Sequence, residues 1–423
     1  SWDNRYLIDL TGRIDGSSNF ASKQRSAPFW SAGVRWNIYN EKFMKTHGWF
    51  ENLAVRANIG TVGNQNFQLS QIMTLYNFLK MYDGVMGAEI MSIANPELKW
   101  QTTLNRNIGL EFSLLQGLVN LDFNYYSNIT KNNLTDIAIL PSTGFSTYKA
   151  NMGKVRNQGY EFSLSITPIK KNGWIVNAFV NGAHNKNKLL NISDALRDYN
   201  EVIKENQTAH LNYAGYTQLE RIFLFEEGQS LNSIFAVRSM GIDPGTGQEI
   251  FVTADGVQTF QWNAADQVVV GNTEPTLKGY FGLNVDYKRW SFGANFQYSF
   301  GADRYNKTLY EKIEGGNFAQ NADRRALTQR WTKPGDVAKY RGYGNTSQLK
   351  PTSRFVQKDD FLSMTSARLS YTLNANDLQA LGISLLKFTL STNDLFYVST
   401  IKQERGLSYP FARTFYFSLQ ANF

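Results

Sequence analysis

The sequence predicts an all-β fold: a transmembrane antiparallel β-barrel with long extracellular loops and short periplasmic turns. Three observations predict it. Apolar and polar residues alternate with period two in about twelve separate segments. The connections between those segments are alternately short and long, as in outer-membrane barrels. No run of about 18 apolar residues is present to make a spanning helix. The near-apolar stretches are short, such as Trp174–Ile175–Val176 and Val268–Val269–Val270.

The strands are expected at 5–14, 29–39, 52–61, 101–114, 118–130, 155–167, 173–187, 276–288, 290–301, 360–373, 383–394 and 412–423. In the third, Leu53, Val55, Ala57 and Ile59 oppose Arg56 and Asn58. In the fourth, Leu104, Ile108, Leu110, Phe112 and Leu114 oppose Asn105, Asn107, Glu111 and Ser113. The fifth sets Val119, Leu121, Phe123 and Tyr125 against Asn120, Asp122 and Asn124. The sixth sets Tyr160, Phe162, Leu164 and Ile166 against Glu161, Ser163, Ser165 and Thr167. Leu277, Gly279, Phe281, Leu283, Val285 and Tyr287 share one face of the eighth, with Lys278, Asn284 and Asp286 on the other. After the Lys288-Arg289 turn, Trp290, Phe292, Ala294, Phe296, Tyr298 and Phe300 continue the apolar face. The last strand carries Phe415, Phe417, Leu419, Ala421 and Phe423 on one side and Thr414, Tyr416, Ser418, Gln420 and Asn422 on the other. The linkers after 39, 114, 167, 288 and 373 are short. Those at 15–28, 62–100, 131–154, 188–275, 302–359 and 395–411 are mostly long. Helical periodicity is confined to Asn40–Trp49, Asn374–Leu381 and parts of the long loops.

The physical basis is backbone satisfaction. Lipid offers no partner for N–H or C=O, so only helices and closed barrels span it. A barrel wall shows lipid one face and the lumen the other. Trp30, Trp36, Tyr125, Tyr126, Trp174, Tyr287 and Trp290, near strand ends, suit interfacial girdles. A soluble β-sandwich or propeller also alternates, with shorter strands and loops. Among 423 residues, 14% are aromatic and only 18% charged, which excludes a disordered chain. Cysteine is absent, which excludes disulfide scaffolds and thiolate metal sites. Mean hydropathy is −0.38, a value that averages a lipid face with a wet one. The net charge of +8 is spread along the chain with no basic stripe, which argues against nucleic acid. The opening Ser1-Trp2-Asp3, with no initiator Met or signal segment, reads as a piece of a longer chain.

Catalytic constellations are missing. His47, His184 and His210 lack metal-ligand spacing, and no nucleophile elbow or phosphate loop occurs. Gly245-Thr246-Gly247 reads as a turn. The acid pairs Asp359-Asp360 and Glu226-Glu227 read as loop charges rather than glycosidase acids. Asp243 and Asp255 form an incomplete calcium-loop pattern. The loop aromatics Phe67, Tyr76, Phe78, Tyr82, Phe223, Phe225, Trp262, Tyr305 and Tyr310 either stack on sugar rings or pack the loops together, and packing is the plainer reading. No enzyme, cofactor or metal is expected, and no residue is assigned to cargo.

Several segments carry a family resemblance. Asn151-Met152-Gly153-Lys154-Val155-Arg156-Asn157-Gln158-Gly159-Tyr160-Glu161 is close to N-x-G-x-x-x-N-x-G-x-E. Arg5-Tyr6-Leu7 with Arg13-Ile14-Asp15-Gly16-Ser17-Ser18-Asn19-Phe20 resembles R-Y … R-x-D-G-S-S-x-F. Phe29–Trp36 resembles F-P-S-x-S-x-G-W, with Trp30 where Pro is common. Val55–Asn64, Gly241–Pro244, Gly271–Pro275 and Phe361–Tyr371 also fit. Over essentially its whole length the sequence resembles the C-terminal half of SusC/RagA-type TonB-dependent transporters of the Bacteroidota outer membrane.

The resemblance implies that residues 1–423 are about the last 12 of 22 strands of a plugged barrel. The N-terminal plug, TonB box and signal peptide lie outside this sequence. It implies import of large nutrients, mostly oligosaccharides and sometimes oligopeptides. TonB–ExbB–ExbD would act through the absent plug, and a SusD-like surface lipoprotein would form a lid. The alternatives are a peptide importer, a lidless siderophore or vitamin receptor, and a β-rich glycan-binding surface protein. The residues Phe415, Phe417, Leu419 and Phe423 resemble the terminal-strand signal read by the barrel-assembly machinery. They also suit the lipid face of a closing strand.

Overall fold

The structure is a computed structural model. It describes every residue except 19–24, 45–48, 65–73, 93–94, 96–97, 139–144, 146, 152, 206–223, 317–322, 344–348, 375–377, 379–381 and 403–412. All twelve expected wall strands are present. They are β1 (Tyr6–Gly16), β2 (Ser26–Asn37), β3 (Phe50–Asn64), β4 (Gln101–Leu114), β5 (Val119–Lys131) and β6 (Gly153–Lys171). They continue with β7 (Trp174–Ile192), β8 (Leu277–Tyr287), β9 (Trp290–Phe300), β10 (Phe361–Asn374), β11 (Leu385–Asn393) and β12 (Phe415–Asn422). Each pairs antiparallel with the next in chain order, and the short strand Tyr397–Ser399 joins the same sheet beside β10. The described sheet is therefore an open wall with β1 and β12 at its edges.

Register fixes the faces. Trp36 lies opposite Val55, then Leu110, Phe123 and Phe162 follow across the wall, one apolar row. The neighbouring row runs Arg35, Arg56, Gly109, Asn124, Glu161, Ala183 and Lys278. A one-residue slip would exchange the rows entirely. The outward residues are exposed: Leu10 at 79% and Ile108 at 58%, for example. One girdle expectation changes. Tyr126 faces inward and its hydroxyl donates to Asn185 Oδ1 at 3.0 Å, because neighbours along a strand point to opposite sides and Tyr125 faces out.

The turns have short-hairpin chemistry. Asn172 and Gly173 join β6 to β7 with φ of 55° and 79°, the type I′ geometry that matches strand twist. On the opposite side, β6 and β7 run for 19 residues each. About 9–11 residues cross a bilayer, so both strands project beyond it.

The long connections are built rather than irregular. Leu75–Tyr82 and Val85–Ser92 pair in one, and Leu134–Ala138 and Thr147–Asn151 pair in another. Helix α1 (Asp194–Glu205) follows β7 and seats Leu196 in a core with Ala150, Val155, Leu189 and Ile192. Ser233–Ile242 pairs with Glu249–Val252 and with Gln267–Asn272. Asp303–Tyr305 pairs with Val356–Lys358, beside the helical segment Thr308–Glu314. Of the expected helical stretches, Ile38–Asn40 forms a single tight turn, Asn374 ends β10, and 45–48 and most of 375–381 lie outside the described residues.

Candidate functional site

The inward face carries two adjoining features. The first is an ion-pair chain across β2 to β5. Arg35 Nη2 lies 2.7 Å from Glu111 Oε2, and Arg56 Nη1 lies 2.5 Å from Glu111 Oε1. Arg56 Nη2 reaches Asp122 Oδ2 at 3.2 Å and donates to Asn124 Oδ1 at 2.7 Å. Register places Arg35 opposite Arg56 and Glu111 opposite Asp122, two like-charged pairs that would each destabilise a sheet. Diagonal pairing resolves both. Gly109 makes it possible: a Cβ there would stand 2.5 Å from Arg56 Nε and 2.6 Å from Asn124 Oδ1. The guanidinium crosses β4 over the bare backbone of that glycine.

The second feature is a groove of about 450 Å³ further along the wall. Asp122, Asn124, Glu161, Ser163, Asn181 and Tyr280 contribute to its lining. Asn181 Oδ1 accepts from the Tyr280 backbone N–H at 3.0 Å. The Tyr280 ring is half exposed. An exposed ring flanked by carboxylates, amides and a hydroxyl can stack on and hydrogen-bond a polar solute. Alternation places Asp122, Asn124 and Glu161 on this face from sequence alone. Tyr280 escapes that reading because it is aromatic, although its even position in β8 assigns it to the polar face.

Outside the wall, two long connections are locked together by buried charge. Arg354 Nη2 lies 2.9 Å from Glu249 Oε2, and its Nη1 lies 2.8 Å from Glu314 Oε2. Arg341 Nε meets Glu314 Oε1 at 2.9 Å, and Thr352 Oγ1 donates to Glu249 Oε1 at 2.7 Å. Burial alone would raise the Glu314 carboxyl, but Arg354 and Arg341 outweigh it and hold it below the usual carboxylate range. Arg330 donates to the carbonyls of Ala326, Ile313 and Arg341. Tyr310 and Phe355 pack edge to face beside this lock, and the Tyr305 ring lies tilted against both, 5.9 Å from each. Burial pushes both tyrosine hydroxyls above their ordinary range.

The loop aromatics divide accordingly. Tyr310 and Trp262 are buried, and Trp262 Nε1 donates to the Pro351 carbonyl. Phe225 packs on the α1 core. Tyr76 and Phe78 are exposed beside each other, with ring centroids 6.5 Å apart. Phe67 and Phe223 lie outside the described residues, as does the side chain of Tyr82. The acid pairs are engaged within the loops: Asp359 with Arg304, Asp360 with the Gly301 N–H, Glu226 with Lys204 and Glu227 with Arg197. Asp243 accepts from Thr246 Oγ1 and the backbone N–H groups of Gly245 and Thr246, closing its own turn. Asp255 sits exposed in a separate turn. His184 Nδ1 lies 2.6 Å from the Thr276 carbonyl oxygen; His47 and His210 lie outside the described residues. Phe415, Phe417, Leu419 and Phe423 all stand exposed on the outward side of the β12 edge.

Residues 1–221 match the family described as TonB dependent receptor-like, beta-barrel. The chain belongs to that family. Its wall is part of a bacterial outer-membrane β-barrel, and among the described residues no helix is long and apolar enough to cross a membrane. The chain is 28% identical to TonB-dependent receptor P39 of Formosa agariphila, over 93% of this chain and 41% of that protein. It is 26% identical to TonB-dependent receptor SusC of Bacteroides thetaiotaomicron, over 75% of this chain and 32% of SusC. The structure of the RagAB peptide transporter superposes with a TM-score of 0.80 at 25% identity, covering 95% of this chain and 43% of that chain. The chain thus spans about a third to two fifths of the length of these relatives.

Proposed function

We propose that this chain is the C-terminal part of the barrel of a SusC/RagA-type importer that brings large polar nutrients, oligosaccharides first, across the outer membrane. The observation that carries the reading is the inward groove, where the exposed Tyr280 ring stands among Asp122, Asn124, Glu161, Ser163 and Asn181. Rings flanked by amides and carboxylates suit hydroxyl-rich solutes. The remaining barrel strands and an N-terminal plug would come from chain beyond this sequence, and TonB–ExbB–ExbD would supply energy through that plug. A SusD-like lipoprotein would cap the loops at 62–100, 188–275 and 302–359, and the packed cores in the described parts of the last two offer a firm seat.

The test uses the full-length receptor in a strain deleted for its gene. Complementation restores growth on the oligosaccharide cargo, and Tyr280→Ala lowers uptake while leaving outer-membrane abundance unchanged. Growth on oligopeptides alone replaces the glycan reading with the peptide one, which the likeness to the RagAB peptide transporter favours. Purification in detergent without any lipoprotein partner removes the lid. We also read Phe415, Phe417, Leu419 and Phe423 as the assembly signal. Deleting Phe423 is expected to lower outer-membrane yield, and unchanged assembly of the deletion variant refutes that role.

A further inference from the structure

The short-turn rim of the wall carries an ordered belt. Along one outward row, register places Lys171 opposite Trp174, Trp174 opposite Tyr287, Tyr287 opposite Trp290 and Trp290 opposite Tyr371. The rings are coupled: Trp174 and Tyr287 stack at 4.1 Å, and Trp290 and Tyr371 lie 4.7 Å apart. A bulge in β6 between Ile166 and Ile169 shifts the alternation and turns Lys171 to the outward face. Without it, Lys171 would point into the lumen.

Cations cluster on this stretch. Lys170 and Lys171 precede the β6–β7 turn, and Lys288 and Arg289 form the β8–β9 turn beside it. The Lys288 ammonium sits 5.2 Å from the centre of the Tyr287 ring, and its stem lies along Gly173. Among the described residues, neither Lys171 nor Lys288 makes an ion pair with a carboxylate. Asp286, one residue before Tyr287, faces the lumen and accepts from Ser291 Oγ. The β4–β5 turn differs: it is Leu115-Gln116-Gly117-Leu118, without a cation, and Gly117 lies near Glu51.

We infer that Lys171, Lys288 and the Trp174–Tyr287 pair form a seat for the headgroup of an anionic glycerophospholipid in the periplasmic leaflet. Short turns face the periplasm in outer-membrane barrels, and that leaflet is phospholipid. Indole and phenol rings settle at headgroup depth. Lysine stems run along the apolar belt and carry their charges to the phosphate. Two strand spacings, about 10 Å, separate the backbones of β6 and β8, so the two ammonium groups can flank one headgroup. The match is one of charge: the Lys171 and Lys288 ammonium groups meet an anionic lipid surface.

The experiment uses the full-length receptor purified from the outer membrane into mixed phosphatidylglycerol and phosphatidylcholine micelles, with bound lipid counted by native mass spectrometry. Phosphatidylglycerol is expected to be retained in preference, by about fivefold for each engaged lysine. The double variant Lys171→Gln/Lys288→Gln brings the two lipids to parity, while Lys131→Gln at the opposite rim leaves the preference intact. Equal retention by the wild type overturns the inference, as does a double variant that keeps the preference. Inorganic phosphate that displaces the lipid stoichiometrically overturns it in favour of a free-anion site. Should the double variant fail to assemble, salt decides on the wild type: a headgroup preference falls steeply with ionic strength, and one insensitive to salt refutes the seat.

Discussion

The wall and the loop assembly above it are held together by opposite arrangements of the same residue types. In the wall, large apolar side chains point outward and stand exposed, as Leu10, Ile108, Leu390 and Phe417 do. Its inward face carries charge, as in Arg35–Glu111–Arg56–Asp122. In the loop assembly the apolar groups are inside: Val237, Ala264, Ile313, Ala326 and Phe355 are almost wholly buried. Even its charges are interior there, since the Glu314 side chain is 0% exposed. The wall relies on strand hydrogen bonds that lipid protects from competition with water. The loop assembly relies on burial from water, like an ordinary soluble domain. One chain therefore answers to two solvents, and a perturbation should act in one region and leave the other intact.

Arg354→Met is expected to separate the two most strongly. It leaves Glu249 and Glu314 buried without their shared cation, a change that costs about 3–5 kcal/mol. Hydrogen exchange should rise across 233–272 and 303–358. The heat-modifiable migration of the barrel should stay unchanged. Exchange confined to residues next to Arg354 would show that the two connections do not fold as one unit. Acid acts on the same lock. Glu314 is held below its unfolded value, so its contribution is complete above the ordinary carboxylate pKa and is lost as pH falls through the lower folded value. Loop protection should therefore persist at pH 5 and fall only below about 4.3. Loss of protection near neutral pH would contradict the lock.

The wall breaks differently. Leu283→Arg puts a guanidinium on the lipid face near the middle of β8, at a cost of about 2–4 kcal/mol. Asn284→Arg, one residue on, points it into the lumen and should be tolerated. Outer-membrane abundance and urea unfolding of the full receptor in lipid report the pair. Equal effects at 283 and 284 would mean that the register assigns the faces wrongly.

The twelve wall strands were legible because a two-residue period with two different solvents writes itself into every segment. Glu111, Asp122 and Glu161 fell on the correct face by parity alone. Tyr126 was misassigned because it was read by residue type as a girdle aromatic, although its even position already placed it with Asn120, Asp122 and Asn124 on the lumen side. The loop assembly was not legible. Glu249 and Arg354 lie 105 residues apart, and no local period announces a pair at that distance. Helix α1 falls in the 188–275 linker, where helical periodicity was expected only in unspecified parts of the long loops; its apolar side at Leu196 and Tyr199, which packs against β6 and β7, was not singled out. The bulge that turns Lys171 outward was likewise invisible, since a bulge breaks the alternation that makes a strand readable.

The smallest expected effect tests the joint between charge and backbone in the wall. Gly109→Ala adds one methyl group at ordinary strand geometry, so no left-handed conformation is lost. What the methyl meets is Arg56 Nε at 2.5 Å and, beyond it, Asn124 Oδ1 at 2.6 Å, the far end of a side chain that can turn aside once Arg56 no longer holds it. The guanidinium must lift away from Asn124 and Asp122, which leaves Glu111 and Asp122 facing each other with less cation between them. A cost of about 1 kcal/mol is expected, in the ordinary range for a point substitution, with the strands still paired. Arg56→Ala in the Gly109→Ala background separates crowding from charge. If crowding of the guanidinium is the whole effect, Gly109→Ala costs nothing once Arg56 is gone, and the double-mutant cycle returns the full 1 kcal/mol or so as coupling. Additive losses would mean that Gly109 serves the strand itself rather than the passage of Arg56.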